Sequence, residues 1–168
     1  MHPTLEIFAQ QLHNLIKKFE SDRVHYLSKN YLEAQARIDF ITPLFKALGW
    51  DVESEVGLPH DQREVIVERG ETEGRPDYNF RLAGQTKFFV EAKAPCEPID
   101  AAKHILQAKG YAWNTKQVIF VILTDFEEFP FYDASSKQLA ATDFASHGFR
   151  LTAGLCFVSL VLTQCEAA

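Results

Sequence analysis

Apolar residues recur every three or four positions along three stretches of the chain, a period typical of amphipathic α-helices. The first stretch covers residues 5–19 and predicts a helix that ends before Ser21. The second predicts a helix over about residues 31–48, in which Pro43 should cause a kink because proline lacks a backbone donor. The third predicts a helix over about residues 98–111, with a proline in its first turn.

Other stretches alternate between apolar and polar residues or are rich in β-branched side chains, which is typical of strands. Residues 78–82 and 87–93 predict a hairpin around a four-residue turn at 83–86. Residues 117–123 lack alternation and predict a strand covered on both faces. Further strands are predicted at residues 51–56, 63–68 and 129–132.

The order of these elements is helix, helix, strands, helix, strand, which predicts an α/β layer fold with a central mixed sheet flanked by helices. At 168 residues the chain has room for one domain with one hydrophobic core. Residues 134–168 mix turn formers, helix formers and an apolar run, so we treat them as a carboxy-terminal extension without an assigned structure.

Composition narrows the class of protein. The chain is 46% apolar and 24% charged, which is typical of a globular protein and not of a disordered one. Its formal net charge is −6, whereas a protein that holds nucleic acid by overall basicity carries a basic footprint. Any contact with nucleic acid is therefore expected from a local patch or from another subunit.

No targeting or membrane segment is expected. The longest apolar run, residues 155–162, is interrupted by Cys156 and Ser159 and is far shorter than the roughly 20 residues of a membrane span. The amino terminus carries Glu6 and helical spacing instead of a basic segment and an apolar run, so it does not resemble a secretory signal. The three cysteines are odd in number and lack close pairing, which argues against disulfides and zinc. These features predict a cytoplasmic protein without a membrane partner.

The candidate chemistry lies in the predicted hairpin. Glu91 and Lys93 are two apart on a strand and therefore share one face with Phe89, whereas Phe88 and Val90 point to the other face. A carboxylate and an ammonium at the end of an apolar strand are costly to bury unless they are paired or functional.

The predicted turn brings a second carboxylate to the same place. Asp77 begins the partner strand, so its side chain should lie beside Glu91. Two neighbouring carboxylates repel each other, and a divalent cation such as Mg²⁺ would relieve that repulsion. Lys93 could then orient an attacking water or balance charge on a phosphate, so the residues predict metal-assisted hydrolysis of phosphodiesters. The bland alternative is a surface ion pair and a turn residue, each of which is common alone.

Residues 76–82 (PDYNFRL) and 87–95 (KFFVEAKAP) resemble the signature of the PD-(D/E)XK nuclease superfamily. Their surroundings resemble the nuclease module at the amino end of type I restriction enzyme R subunits and of type IIG restriction-modification enzymes. The supporting stretches are residues 33–37, 40–45, 48–50 and 122–129. The resemblance covers about residues 30–133, after an amino-terminal helix within residues 1–29, and implies a restriction-endonuclease-like core within a single nuclease domain.

The resemblance implies roles for individual residues. Asp77 and Glu91 would be metal ligands and Lys93 the catalytic lysine. Glu33 matches the acidic residue that this superfamily often supplies from the helix ahead of the sheet, as a further metal ligand. With Arg37 four positions later, however, it could equally form a salt bridge on the helix surface.

Gln107 and Tyr111 match a Gln-x-x-x-Tyr element that follows the lysine in RecB-like members of the superfamily. Their spacing places them on one face of the third predicted helix, where Gln107 would assist catalysis by positioning phosphate or bracing the metal ligands. The alternative is a tyrosine that covers the core and a solvated glutamine.

The implied function is DNA cleavage with Mg²⁺, for which Mn²⁺ could substitute, as part of a restriction-modification system. Relatives of this type also carry translocase, methyltransferase or specificity domains, which are the expected partners together with a second copy on DNA. The sequence has no Gly-x-x-x-x-Gly-Lys loop and no Asn/Asp-Pro-Pro-Tyr motif. Two alternatives remain open: a DNA-binding or assembly module that is inactive without partner domains, and RNA as the substrate.

Overall fold

A five-stranded mixed sheet forms the centre of the molecule, with helices on both of its faces. The computed structural model describes residues 3–68, 74–115, 118 and 120–133, together with the backbone of residues 149–150. The predicted α/β class with a helix-flanked central sheet is confirmed, while the unassigned extension at 134–168 lies outside the described residues except for that short backbone segment.

The helices are bounded as follows: α1 Leu5–Ser21, α2 Arg23–Tyr26, α3 Glu33–Ala36, a π-helical turn Arg37–Ile41, α4 Thr42–Ala47 and α5 Ala102–Trp113. The strands are β1 Val65–Val67, β2 Tyr78–Leu82, β3 Gln85–Ala92, β4 Phe120–Thr124, β5 Glu128–Phe129, β6 Phe131–Asp133 and β7 Phe149–Arg150. None of the helices within the described residues is long and apolar enough to cross a lipid bilayer.

The strands of the main sheet lie in the order β1-β2-β3-β4-β6, and β5 pairs with β7 separately. β1, β2 and β3 are antiparallel neighbours, and β4 lies parallel to β3 after the crossover through α5. β6 then returns antiparallel to β4. The long strand β3 is thus central, and its carboxyl end, where Glu91 lies, is flanked by the start of β2 and the end of β4.

The alternation of β3 divides the core into two layers, as predicted. Phe88 and Val90 belong to the larger cluster beneath α1 and the helices of residues 33–47, whereas Phe89 belongs to a smaller cluster beneath α5. Phe88 stacks on its cross-strand partner Phe80 with ring centroids 4.6 Å apart. Because the two faces of β3 have different partners, a shift of register by one residue would exchange the side chains of the two layers and disrupt the packing of both.

The predicted second helix is real but contains a π-helical turn immediately ahead of Pro43 instead of a simple proline kink. Proline cannot donate to the carbonyl four residues earlier, which belongs to Asp39. Lys18 of α1 donates to that Asp39 carbonyl at 3.3 Å and to the Asp39 carboxylate at 2.7 Å. Lys18 of the neighbouring helix therefore supplies the donor that Pro43 lacks for the Asp39 carbonyl.

The hairpin turn is tighter than predicted. Two residues, Ala83 and Gly84, connect the strands instead of four, and both have positive φ (49° and 76°), as a type I′ hairpin turn requires. The shorter turn lengthens β3 to Gln85 and leaves the position of Glu91 at its end unchanged.

The strands predicted at 63–68 and 117–123 are present as β1 and β4, with small shifts at their ends, and residues 117 and 119 lie outside the described residues. Three other predicted elements differ more substantially. Residues 51–56 form turns instead of a strand, because the Asp51 carboxylate accepts the backbone N–H groups of Glu55 and Val56 and competes with sheet pairing. The third helix begins at Ala102, after a turn in which the Ala101 N–H donates to the Pro98 carbonyl. The strand expected at 129–132 is split into β5 and β6 by Pro130, which has no N–H for the ladder.

Asp125, immediately after β4, is a buried acid whose ionisation should lower stability. It is 6% exposed, and burial raises the pKa of its carboxyl group to about 7. A raised pKa favours the protonated form in the fold, so the contribution is present below the unfolded pKa and is lost as pH rises towards 7.

We therefore expect Asp125→Asn to have the stability of the wild type near pH 4 and to exceed it by about 1–3 kcal/mol at pH 8. The amide oxygen can still accept the Glu128 N–H, which lies 2.8 Å from the Asp125 carboxylate. Urea unfolding at both pH values measures the difference, with Asp61→Asn as the exposed control. Equal destabilisation of Asp125→Asn at both pH values would contradict this account.

A candidate catalytic centre at the end of the central hairpin

The hairpin brings Asp77, Glu91 and Lys93 to one place. Asp77 immediately precedes β2, Glu91 is the second-last residue of β3, and Lys93 follows that strand. The Asp77 Oδ2 atom accepts the backbone N–H of Ala92, between Glu91 and Lys93, at 2.8 Å. In the structure, two acids and one amine therefore meet at one end of the hairpin, as predicted.

Glu91 and Lys93 form a buried ion pair. The distance between Lys93 Nζ and Glu91 Oε1 is 2.8 Å, and the two side chains are only 7% and 5% exposed. The Lys93 backbone N–H donates to the Thr124 carbonyl at the end of the neighbouring strand β4 at 2.8 Å, which fixes the base of the lysine. The other Glu91 oxygen, Oε2, is buried and has no hydrogen-bond partner among the described residues.

The surroundings of this ion pair raise the pKa values of both of its members. Burial raises the pKa of Glu91 to about 7, and the negative charge of Asp77 adds to that rise. Burial alone would lower the pKa of Lys93, but Glu91, Glu33 and Asp77 outweigh it and raise the pKa above its usual value. Lys93 is therefore an ammonium at neutral pH, and the carboxylates together exceed the charge that it neutralises.

Glu33 and Arg37 reach the hairpin from the helical layer. Glu33 Oε2 lies 3.5 Å from Lys93 Nζ, and Arg37 Nη1 donates to Asp77 Oδ1 at 2.6 Å. Each side chain thus contacts the predicted catalytic residues, so the structure disfavours the alternative of an isolated helix-surface salt bridge. Burial raises the pKa of Glu33, although Lys93 acts in the opposite direction.

Arg37 is the residue of this centre to which the sequence alone assigned no separate role. Besides Asp77 it donates to the Glu68 carbonyl beyond β1, and its guanidinium lies 5.2 Å from the centre of the Tyr78 ring. The signal in the sequence was its spacing four residues after Glu33 on a predicted helix. We call Glu33, Arg37, Asp77, Glu91 and Lys93 the charged centre.

Gln107 and Tyr111 lie on one face of α5, as predicted, and contact each other. Gln107 Nε2 donates to the Tyr111 hydroxyl at 2.8 Å. Tyr111 packs against the smaller core cluster, and Gln107 is exposed, so the arrangement also contains elements of the alternative interpretation. Burial raises the pKa of the Tyr111 hydroxyl, and the negative charge of Glu91 acts in the same direction, whereas Lys93 acts in the opposite one.

An open cleft of about 1540 Å³ connects these groups. All five residues of the charged centre, Gln107 and Tyr111 line it, and its rim includes Lys29 and Arg75. Five basic and five acidic side chains line the cleft, which makes it formally neutral within a chain of net charge −6. The cleft is therefore less acidic than the molecule as a whole.

The donor atoms suit a divalent cation that is completed by substrate or water. Within the described residues, no three His, Cys, Asp or Glu side chains are arranged to hold an ion by themselves. Asp77 and Glu91 supply two carboxylates, one with an unpartnered buried oxygen. Mg²⁺ usually takes one or two carboxylates and keeps several waters, so this set fits it. Glu33 lies against Lys93, beside this pair.

Comparison with known proteins gives one informative similarity. The chain is 42% identical over 140 residues to the type II restriction enzyme and methyltransferase RM.Eco57I of Escherichia coli. The match covers 79% of this chain but 14% of that protein, so the chain spans about one seventh of its relative. No protein-family model and no solved structure matches the chain.

Proposed function

We propose that this chain is a metal-dependent endonuclease module of a restriction-modification system and hydrolyses DNA phosphodiester bonds. The observation that carries the proposal is the buried Oε2 of Glu91, which lies beside Asp77 and Lys93 and has no hydrogen-bond partner in the described part of the chain. A buried carboxylate oxygen without a donor is costly in a purely structural ion pair. It is the expected arrangement where a cation completes the site.

The residues divide the chemical tasks. Asp77 and Glu91 would hold the ion, with Glu33 alongside them. A bound Mg²⁺ or Mn²⁺ would polarise the phosphate and lower the pKa of a coordinated water. Hydrolysis would add a water across a P–O bond, and negative charge would grow on the phosphate oxygens during the step. The Lys93 ammonium, 2.8 Å from Glu91, would stabilise that charge.

Positioning of the nucleic acid falls to the cleft. Gln107 and the Tyr111 hydroxyl present neutral hydrogen-bonding groups on one wall, and Lys29 and Arg75 offer cations at the rim. Such groups contact the phosphate backbone and carry little sequence information. We therefore propose that other domains supply the recognition of a DNA site.

The similarity to RM.Eco57I supports the cellular context. The name of that protein combines restriction and methyl transfer. The charged centre suits the first activity, so we assign this chain to the DNA-cleaving part. Methyltransferase, translocase or specificity domains, and a second copy on DNA for cutting both strands, are the proposed partners.

Nicking of supercoiled plasmid by the purified chain tests the proposal. We expect nicking in the presence of Mg²⁺ or Mn²⁺ and none after chelation by EDTA. Radiolabelled single-stranded RNA under the same conditions tests the alternative substrate. Metal-independent nicking, or cleavage of RNA alone, would contradict the proposal.

A second candidate function is a DNA-binding or assembly module that is inactive without its partner domains. The net charge of −6 and the formally neutral cleft favour it, because both imply weak binding of DNA by the chain alone. Calorimetric titration with Mn²⁺ separates the cases. Ion uptake without nicking supports the module that needs partners, whereas absence of ion uptake contradicts the nuclease assignment altogether.

A further inference from the structure

The contacts of Arg37 suggest a task beyond structural support. Its guanidinium bonds the Oδ1 atom of Asp77, and the other Asp77 oxygen is held by the Ala92 N–H. Both side chains are largely buried, with 16% of Arg37 and 13% of Asp77 exposed. Both oxygens of the Asp77 carboxylate are thus held by hydrogen bonds. Because Arg37 is permanently charged, a metal ion that binds Asp77 has to compete with its guanidinium for the negative charge of this carboxylate.

The formal charges of the five residues show how Arg37 affects the binding of a metal ion and of a phosphate group. With all groups ionised, Glu33, Asp77 and Glu91 contribute three negative charges, and Arg37 and Lys93 contribute two positive ones. The charged centre then carries −1 without metal and +1 with one divalent cation. A centre of +1 attracts one phosphodiester, which carries −1. Without Arg37 the same sum gives −2 without metal and zero with it, so the loaded centre would no longer attract phosphate.

We infer that Arg37 is a positioning residue that weakens metal binding in the absence of DNA and leaves the metal-loaded centre positive for a phosphate group. The inference rests on the proposed function and adds a coupling between ion and substrate. The free protein should bind the ion weakly, and the complex with DNA should bind it more tightly. The reason is that the negative phosphate attracts the cation and the cation attracts the phosphate, so each strengthens the binding of the other.

The place of Arg37 in the fold supports this assignment. It begins the π-helical turn Arg37–Ile41, and its second amino group is anchored on the Glu68 carbonyl. The Tyr78 ring lies against its face at 5.2 Å. Neither contact involves Asp77, so both hold the guanidinium and its positive charge beside the centre independently of that carboxylate.

The test measures ion affinity and cleavage separately. Free Mn²⁺ is quantified by electron paramagnetic resonance during titration without DNA at pH 8, and plasmid nicking is measured at saturating Mn²⁺. We expect Arg37→Gln to lower the dissociation constant for Mn²⁺ by about tenfold, since a nearby cation is removed. We also expect its nicking rate to fall by about tenfold or more, because phosphate attraction is lost. The opposite directions of the two effects are the signature of the coupling.

Two further variants guard against a folding defect. Lys46→Gln removes one positive charge at the surface, where Lys46 pairs with Glu53 and Glu55, and should change neither quantity. Arg37→Lys keeps the positive charge and, because the electrostatic effect on the ion depends on that charge, should keep the Mn²⁺ dissociation constant within about threefold of the wild type. If Arg37→Gln fails to fold, Arg37→Lys decides whether the charge of residue 37 sets the Mn²⁺ affinity. If Arg37 has only a structural role, Arg37→Lys should show both weaker Mn²⁺ binding and slower nicking.

The outcomes separate this inference from the proposed function. Tighter Mn²⁺ binding with slower nicking in Arg37→Gln supports it. Unchanged or weaker Mn²⁺ binding in that variant overturns it and leaves the nuclease assignment intact. A wild-type protein that takes up no Mn²⁺ overturns the proposed function and this inference with it.

Discussion

Lys93→Ala should abolish metal-dependent nicking of plasmid DNA, with a rate at least about 100-fold below that of the wild type. Lys93 is the only side chain with a basic nitrogen within 3 Å of Glu91 among the described residues. Burial and the ion pair with Glu91 hold its ammonium, while the Thr124 carbonyl accepts the backbone N–H of the same residue. Rates from single-turnover nicking at saturating Mn²⁺ measure the loss.

Metal uptake distinguishes this effect from a collapsed site. Because Lys93→Ala removes a cation beside Glu91, the variant should bind Mn²⁺ at least as tightly as the wild type. Its melting temperature is best compared near pH 6, where Glu91, with a pKa of about 7, can take up a proton in place of its lost partner. Lys46→Ala is the control for loss of a surface lysine. Nicking by Lys93→Ala at the wild-type rate would remove this residue from the mechanism.

Asp77→Asn should lose both metal uptake and nicking. The substitution keeps the size of the side chain and the acceptor for the Ala92 N–H but removes the charge that Arg37 and a metal ion share. Since one of two carboxylate ligands becomes neutral, we expect the Mn²⁺ dissociation constant to rise by about 100-fold. Isothermal titration calorimetry measures it directly.

The control for this prediction is Asp22→Asn, a substitution of the same kind at an exposed position before α2. It should leave both ion uptake and nicking at wild-type levels. Asp77→Asn also leaves Arg37 without its buried partner, so its unfolding free energy should fall by roughly 1–3 kcal/mol. Wild-type Mn²⁺ affinity in Asp77→Asn would show that the ion is held elsewhere.

The sequence predicted where the site lies better than it predicted which residues from distant segments contact it. The two-residue period of β3 is local, so it placed Glu91 and Lys93 on one face without knowledge of the remaining fold. Their grouping with Asp77 followed from hairpin pairing, and the error in turn length did not disturb it. The resemblance to PD-(D/E)XK nucleases pointed to Glu33 and Gln107, which the structure places at the same cleft.

Contacts between distant segments were beyond local patterns. Arg37 lies 40 positions before Asp77, and nothing in its own helix indicates which carboxylate it will meet. The strand predicted at 51–56 was wrong because the side chain of Asp51 bonds nearby backbone and overrides the alternation. The helix start was placed too early because Pro98 stands in the turn that precedes α5. In each case a specific hydrogen bond, absent from any periodicity, decided the outcome.

Diffraction from crystals of the wild-type chain grown with Mn²⁺, recorded at a wavelength that excites manganese, would locate the bound ion itself. We expect an anomalous peak about 2.1 Å from a carboxylate oxygen of both Asp77 and Glu91, with Lys93 beside it. A fully formed hairpin without a peak between these two carboxylates, or with manganese bound only at other acidic residues, would contradict it.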